Sequence, residues 1–194
     1  MATGVLPLLA GKATRLAQFF TRGTKVYEGT VRFGYATNTY DAEGQPASPA
    51  TPVALDRHTI EQHLAGFTGK ILQTPPPVSA KKVAGIRAYK LARQNIVVEL
   101  QPVEVEVHSI ELLRCEGAEI DIRVECSAGT YMRSIAHDLG QRLGCGGFLA
   151  RLRRTRSGDF KITDAKTLDQ LIDLSENSRL REALVPAVDV HLVA

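Results

Sequence analysis

The side chains of this 194-residue chain that could do chemistry are five histidines and two runs of basic residues. His58, His63, His108, His137 and His191 are scattered. His58 and His63 stand five apart, so a helix would not place both on one face as zinc ligands at i and i+4 require, and no metal site is expected. No Walker loop, G-x-G-x-x-G or G-x-S-x-G occurs, which leaves nucleotide-cofactor and serine-triad chemistry without support. Cys115, Cys126 and Cys145 form no C-x-x-C pair, and their odd count fits a reduced, cytoplasmic setting. What remains is charge. Arg151, Arg153, Arg154, Arg156 and Lys161 crowd one stretch, and Lys81, Lys82, Arg87, Lys90 and Arg93 crowd another. With a net charge of only +3, two such clusters fit either a polyanion docking on part of the surface or solvated basic faces.

The elements that must position these residues are readable from periodicity. The length fits one domain with a real core, and 44% apolar with 23% charged residues is ordinary for a globular protein. No apolar run approaches the roughly 20 residues that span a bilayer, and no signal-peptide pattern opens the chain. Residues 12–21 read as a short helix with Leu16, Phe19 and Phe20 on one side, and 26–35 as a strand leading to the polar turn Asp41-Ala42-Glu43-Gly44. Ile60, Leu64 and Phe67 place a helix over 56–67. Pro75-Pro76-Pro77 dictates a rigid extended connection, followed by a short helix over 87–94. Val103, Val105 and Val107, then Ile120, Ile122 and Val124, alternate with polar residues around Glu116-Gly117, an antiparallel hairpin with one buried face. Residues 130–143 switch to helical period through Met132, Ile135, Ala136, Leu139 and Leu143, with Gly144 where a helix ends. Residues 148–160 read as a strand carrying the arginines, and 168–174 as a last amphipathic helix. Mainly antiparallel strands with interspersed helices predict an α+β fold, a mixed sheet flanked by helices.

Four segments, in order, carry a resemblance. The first is Ala2-Thr3-Gly4-Val5-Leu6-Pro7-Leu8 with Gly11-Lys12-Ala13-Thr14-Arg15. The second is Lys25-Val26-Tyr27-Glu28-Gly29, continuing through Phe33-Gly34 to 37–44. The third is 75–82, with Gly85 and 89–93. The fourth runs from Cys126-Ser127-Ala128-Gly129-Thr130-Tyr131-Met132-Arg133-Ser134 through Asp138-Leu139-Gly140 to Leu152-Arg153-Arg154-Thr155-Arg156-Ser157-Gly158. Together they cover residues 2 to about 175 and resemble the TruB family, in its bacterial form, which makes pseudouridine at position 55 in the T-arm of tRNA.

The resemblance implies the pseudouridine synthase catalytic-domain fold and a tRNA T-arm stem-loop as partner, with no cofactor, no metal and no membrane, a monomer being expected. Such enzymes flip a uridine out of its loop, attack the nucleotide with an aspartate, and rejoin the rotated base to its sugar through carbon. Tyr27 matches the tyrosine stacked on uracil near the proton to be removed, Arg133 the arginine paired with the nucleophilic aspartate, and Tyr131 and Leu152 residues lining the uracil pocket. Lys81, Lys82, Arg151, Arg153, Arg154 and Arg156 become candidate RNA-binding groups. By itself each residue has a plainer reading: Tyr27 and Leu152 as strand packing, Tyr131 as a helix anchor. Arg133 in a first helical turn is mildly unfavourable against the dipole.

The family motif is G-T-L-D-P-x-A-T-G-V-L, and its aspartate would stand two residues before Met1. No acidic residue occurs between Met1 and Glu28. Asp41 aligns with a different acidic position and is not promoted to the nucleophile. The expectations are a partial catalytic domain over 1–180, the start of a C-terminal segment over 181–194, and no turnover by these residues alone. Arg133 is then expected to lack its carboxylate; were it held all the same, Asp138 or Glu125 would be the partner. A noncatalytic tRNA-binding or RNA-chaperone module on the same fold is the alternative.

Overall fold

The computed structural model describes residues 2–83, 85–92, 94 and 100–186. In chain order they form β1 (Ala2–Gly4), a 3-10 turn (Gly11–Leu16) running into α1 (Ala17–Arg22), β2 (Lys25–Phe33), α2 (Arg57–Ala65) and β3 (Gly69–Gln73). Then come β4 (Lys82–Val83), β5 (Ile86–Arg87), α3 (Ala88–Ala92), β6 (Val103–Glu116), β7 (Glu119–Cys126) and α4 (Met132–Arg142). The chain continues through β8 (Gly147–Ser157), β9 (Phe160–Lys161), α5 (Leu168–Glu176) and a 3-10 turn, Leu180–Ala183. The main sheet runs β1-β8-β2-β7-β6-β3, with β9 paired to β8; only β1 and β8 run parallel. This is the α+β, mainly antiparallel architecture that the patterning predicts.

One face of the sheet holds the core. Val31, Ile120, Ile122 and Val124 pack there against Ile60 and Leu64 of α2 and Ile135, Ala136 and Leu139 of α4. α2 starts where Asp56 accepts the Thr59 N–H at 2.8 Å, an N-cap that satisfies one orphan donor of the first turn. α4 lies close on β8 because Gly140 has no side chain: a Cβ there would come within 2.2 Å of the Gly147 nitrogen.

Three elements differ from the sequence reading. The expected strand over 148–160 is a hairpin, because the chain turns back at Gly158, with φ of 58°, and β9 pairs with the end of β8. The helix over 87–94 is α3 alone, with Ile86–Arg87 drawn into a small two-stranded sheet; Arg93 lies outside the described residues. α5, expected as an amphipathic helix, starts at a capping box of Thr167 and Gln170 but buries no residue; Leu168 is 73% and Ile172 48% exposed. Among the described residues no helix is long and apolar enough to cross a membrane.

Candidate active site

The start of α4 is built by contacts from outside the helix. Its N-cap residue, Tyr131, makes no side-chain cap. Instead Gln73, 1% exposed at the end of β3, donates from Nε2 to the Tyr131 carbonyl at 3.1 Å. Its Oε1 accepts the Tyr131 N–H at 2.7 Å. Ser134 Oγ donates to the Thr74 carbonyl at 2.7 Å. These bonds fasten the segment entering the Pro75–Pro77 connection to the first turn of α4, and so fix where Tyr131 and Arg133 stand.

Arg133 is about a quarter exposed and fully engaged on one side. Its Nη1 donates to Asp41 Oδ2 at 2.9 Å and to the Thr39 carbonyl at 3.1 Å. Its Nη2 donates to the Val78 carbonyl at 2.8 Å. Three of five guanidinium donors are thereby used. Among the described residues Nε–H and one Nη2 proton have no acceptor, on the two nitrogens that can grip a carboxylate side-on. Asp41 is itself preset. Its Oδ1 accepts from Thr39 Oγ1 at 2.6 Å and from the Glu43 N–H at 3.1 Å, which turns Oδ2 toward the arginine. The turn closes tightly over Gly44, where a Cβ would meet Thr39 Oγ1 at 2.3 Å. Backbone bonds from Leu149 N–H to the Tyr40 carbonyl (3.0 Å) and from Ala42 N–H to the Leu149 carbonyl (3.2 Å) pin the turn to β8.

The expectation that Arg133 lacks a carboxylate is therefore corrected: Asp41 holds it. Neither proposed substitute does. Glu125 pairs with Arg156 across the sheet, while Asp138, half-buried farther along α4, has its carboxyl pushed above the ordinary range by desolvation.

Register sorts the remaining candidates. Gly29 stands opposite both Ile122 and Leu152, and Tyr27 opposite both Val124 and Arg154. Side chains alternate along strands, so Tyr27, Leu152 and Arg154 share the face on which α4 packs, and Tyr27 and Leu152 both lie against the core. Burial raises the Tyr27 phenol above its ordinary pKa, partly opposed by its side-chain contact with Arg154. Arg154 Nε also donates to the Val5 carbonyl at 2.9 Å. Lys25, 7% exposed on the same face, caps the end of α1 by donating from Nζ to the Gly23 carbonyl at 2.7 Å. Sequence reasoning missed Asp41, Gln73 and Lys25 as parts of this assembly.

The other arginines point away. Arg151 and Arg153 stand opposite Thr30 and Glu28 on the outer face, and Arg156 opposite Val26. That face is a ladder of opposite charges: Arg151 with Glu119 (3.5 Å), Arg123 with Glu28 (3.0 Å), Arg114 with Asp121 (2.7 Å), and Arg156 with Glu125. A groove of about 480 Å³ there includes Arg151, Leu152 and Arg153 in its lining, but none of Tyr27, Tyr131 or Arg133. The four arginines of β8 thus form no single patch. Of the second basic cluster, Lys81 and Lys90 are exposed; the side chain of Lys82 lies outside the described residues.

Comparisons agree with this geometry. Residues 1–132 match the TruB family pseudouridylate synthase (N terminal domain), and residues 133–190 match the tRNA pseudouridylate synthase B C-terminal domain. A tRNA pseudouridine synthase B from Solibacter usitatus is 55% identical over 96% of this chain and 64% of its own length. One from Aromatoleum aromaticum is 49% identical over 93% of this chain and 58% of its own. The chain therefore spans about three fifths of these relatives. Among solved structures, a chain of a Cbf5-Nop10-Gar1 complex superposes with a TM-score of 0.72 at 30% identity, covering 95% of this chain and 48% of that one. A chain of an H/ACA RNP bound to a substrate RNA containing 2'-deoxyuridine gives 0.68 at 27% identity, covering 95% and 47%. The chain belongs to the TruB pseudouridylate synthase family.

Proposed function

We propose that this chain forms the uridine pocket of a tRNA pseudouridine synthase acting at position 55 in the T-arm. The observation that carries the reading is Arg133, held on one side by Asp41, Thr39 and Val78, with Nε–H and an Nη2 proton left to take a second carboxylate. In the proposed reaction that second carboxylate is the nucleophilic aspartate of the G-T-L-D-P stretch, which is not among these 194 residues. The guanidinium keeps the aspartate ionised and aimed at the flipped nucleotide. Tyr27 stacks on the freed uracil, and burial raises the pKa of its phenol, which favours the neutral form. Leu152 and Tyr131 enclose the ring; the aspartate displaces the base from the sugar, the base rotates within the pocket, its C5 bonds to the sugar as the aspartate is released, and the C5 proton is lost while N1 takes one up. Residues 1–180 act as one catalytic-domain unit: β8, beyond the seam of the two family matches, lies between β1 and β2 in the same sheet.

Pseudouridine formation in a T-arm stem-loop, followed by tritium release from uridine labelled at C5, tests the proposal. The 194 residues alone are expected to give no product. A polypeptide in which a G-T-L-D-P segment precedes Met1 is expected to turn over, and Arg133→Met in it to abolish turnover. Product from the 194 residues would overturn the assignment of the nucleophile. Tight T-arm binding without turnover in the extended form would favour the noncatalytic tRNA-binding module.

A further inference from the structure

The turn that carries Asp41 contains a non-glycine residue in the left-handed region. Tyr40 has φ of 65°, the left-handed region that glycine, asparagine and aspartate tolerate and tyrosine rarely enters. A large side chain persists there only where its surroundings over-determine it. The surroundings are on α4. The Tyr40 ring lies flat on the His137 imidazole, with centroids 3.7 Å apart and planes 7° from parallel. His137 stands one helical turn beyond Arg133, so the two share a helix face. In an extended chain neighbouring side chains point to opposite sides. The left-handed residue breaks that alternation, and Tyr40 and Asp41 both meet α4: ring on imidazole, carboxylate on guanidinium.

We infer that the stacked pair Tyr40 and His137 positions Asp41, and through it Arg133, so that both are positioning residues for the pocket. The inference rests on the reading of Arg133 as a pocket group. The carboxylate alone fixes one point of the turn. The stack fixes a second point one turn along α4, and two points define the direction from which Oδ2 approaches Nη1. The bond from Leu149 N–H to the Tyr40 carbonyl holds the other side of the same residue. Among the described residues neither ring has a hydrogen-bond partner, and His137 Nδ1 is buried, so packing is what the imidazole contributes.

The test reads Arg133 directly, without RNA or turnover. In the 194-residue chain labelled with ¹⁵N-arginine, the Arg133 Nη1–H signal, held by Asp41 and the Thr39 carbonyl, is expected to be resolved and slow to exchange with solvent. Tyr40→Phe keeps the ring and is expected to leave that signal in place. Tyr40→Gly removes the ring while relieving the backbone, and is expected to speed exchange about tenfold or more without lowering the melting temperature in step. His137→Ala leaves the 40–41 backbone unaltered and is expected to match Tyr40→Gly, with the double variant no worse than either. Should Tyr40→Gly fail to fold, His137→Ala gives the same reading. An Arg133 signal unchanged by His137→Ala overturns the inference, as does one lost equally in Tyr40→Phe. In the extended, active polypeptide Tyr40→Gly is expected to cut kcat about 10- to 100-fold with little change in KM, as slight misplacement of a positioned group does. Failure of that arm alone, with the Arg133 signal behaving as expected, would count against the proposed reaction and not against the positioning.

Discussion

Arg133→Met measured in the 194-residue chain gives the sharpest check on the site. The substitution removes three bonds: to Asp41 Oδ2, to the Thr39 carbonyl and to the Val78 carbonyl. Fully buried, losing one partner of such a pair costs about 3–5 kcal/mol. Fully exposed, it costs about 0–1 kcal/mol. The two side chains are 24% and 25% exposed, so the interaction lies between these limits. Methionine recovers some packing along the stem, and Asp41 keeps its bonds from Thr39 Oγ1 and the Glu43 N–H. The net expectation is a loss of about 2 kcal/mol, or a melting temperature lower by about 4–8 °C for a domain of this size. Asp41→Asn has a single oxygen, which can serve the turn or Arg133 but not both, so it should cost about 1 kcal/mol. The double variant should lose no more than Arg133→Met does, a coupling of about 1 kcal/mol. Thermal and urea melts of the four chains measure the cycle. Arg133→Met melting with the parent, or two losses that simply add, would show that Asp41 does not hold the arginine.

Gln73→Leu strips both backbone bonds from Tyr131 and is expected to cost about 2–4 kcal/mol, read by urea unfolding. Burial holds the His137 imidazole below its ordinary pKa, so the unfolded chain binds the proton more readily. Stability is therefore fully present above about pH 6.5 and falls as pH drops through the folded value, and His137→Gln should flatten that limb of the melting-versus-pH curve. If the outer face docks RNA, replacing Arg153, which has no carboxylate partner among the described residues, with alanine should reduce the salt slope of T-arm binding by about 0.7–0.9 log units. Arg156→Ala should barely change that slope, because Glu125 already neutralises Arg156.

How much of this was legible in the sequence follows from the range of each interaction. The hairpin of β6 and β7 and the helices α2 and α4 are local patterns, visible because Ile120, Ile122 and Val124, or Ile135, Ala136 and Leu139, repeat with the period of their own element. The pairing of Arg133 with Asp41 is not local: 92 positions separate the two residues, and only the turn over Gly44 and its bonds to Leu149 bring them together. Gln73 was hidden for the same reason, since its partner is a backbone 58 positions away. α5 shows the converse failure. Its amphipathic pattern is real, yet a pattern names a face and not what lies against it.

The arginines of β8 show how one residue can defeat a periodic reading. Strict alternation from Arg151 would send Arg151, Arg153 and Thr155 to one face, with Leu152, Arg154 and Arg156 on the other. Between Val26 and Tyr27 the partner strand advances by two, from Arg156 to Arg154, leaving Thr155 as the extra residue of a bulge. Arg156 is thereby returned to the outer face, where it meets Glu125, and Arg154 alone stays with Tyr27. A bulge requires no particular residue type, so nothing in Arg153-Arg154-Thr155-Arg156 announces it. Yet it decides which cation lies beside the phenol and which are spent on the charge ladder outside. A charge cluster in a strand is therefore not one surface until its register is known, and here the register leaves one arginine facing the pocket.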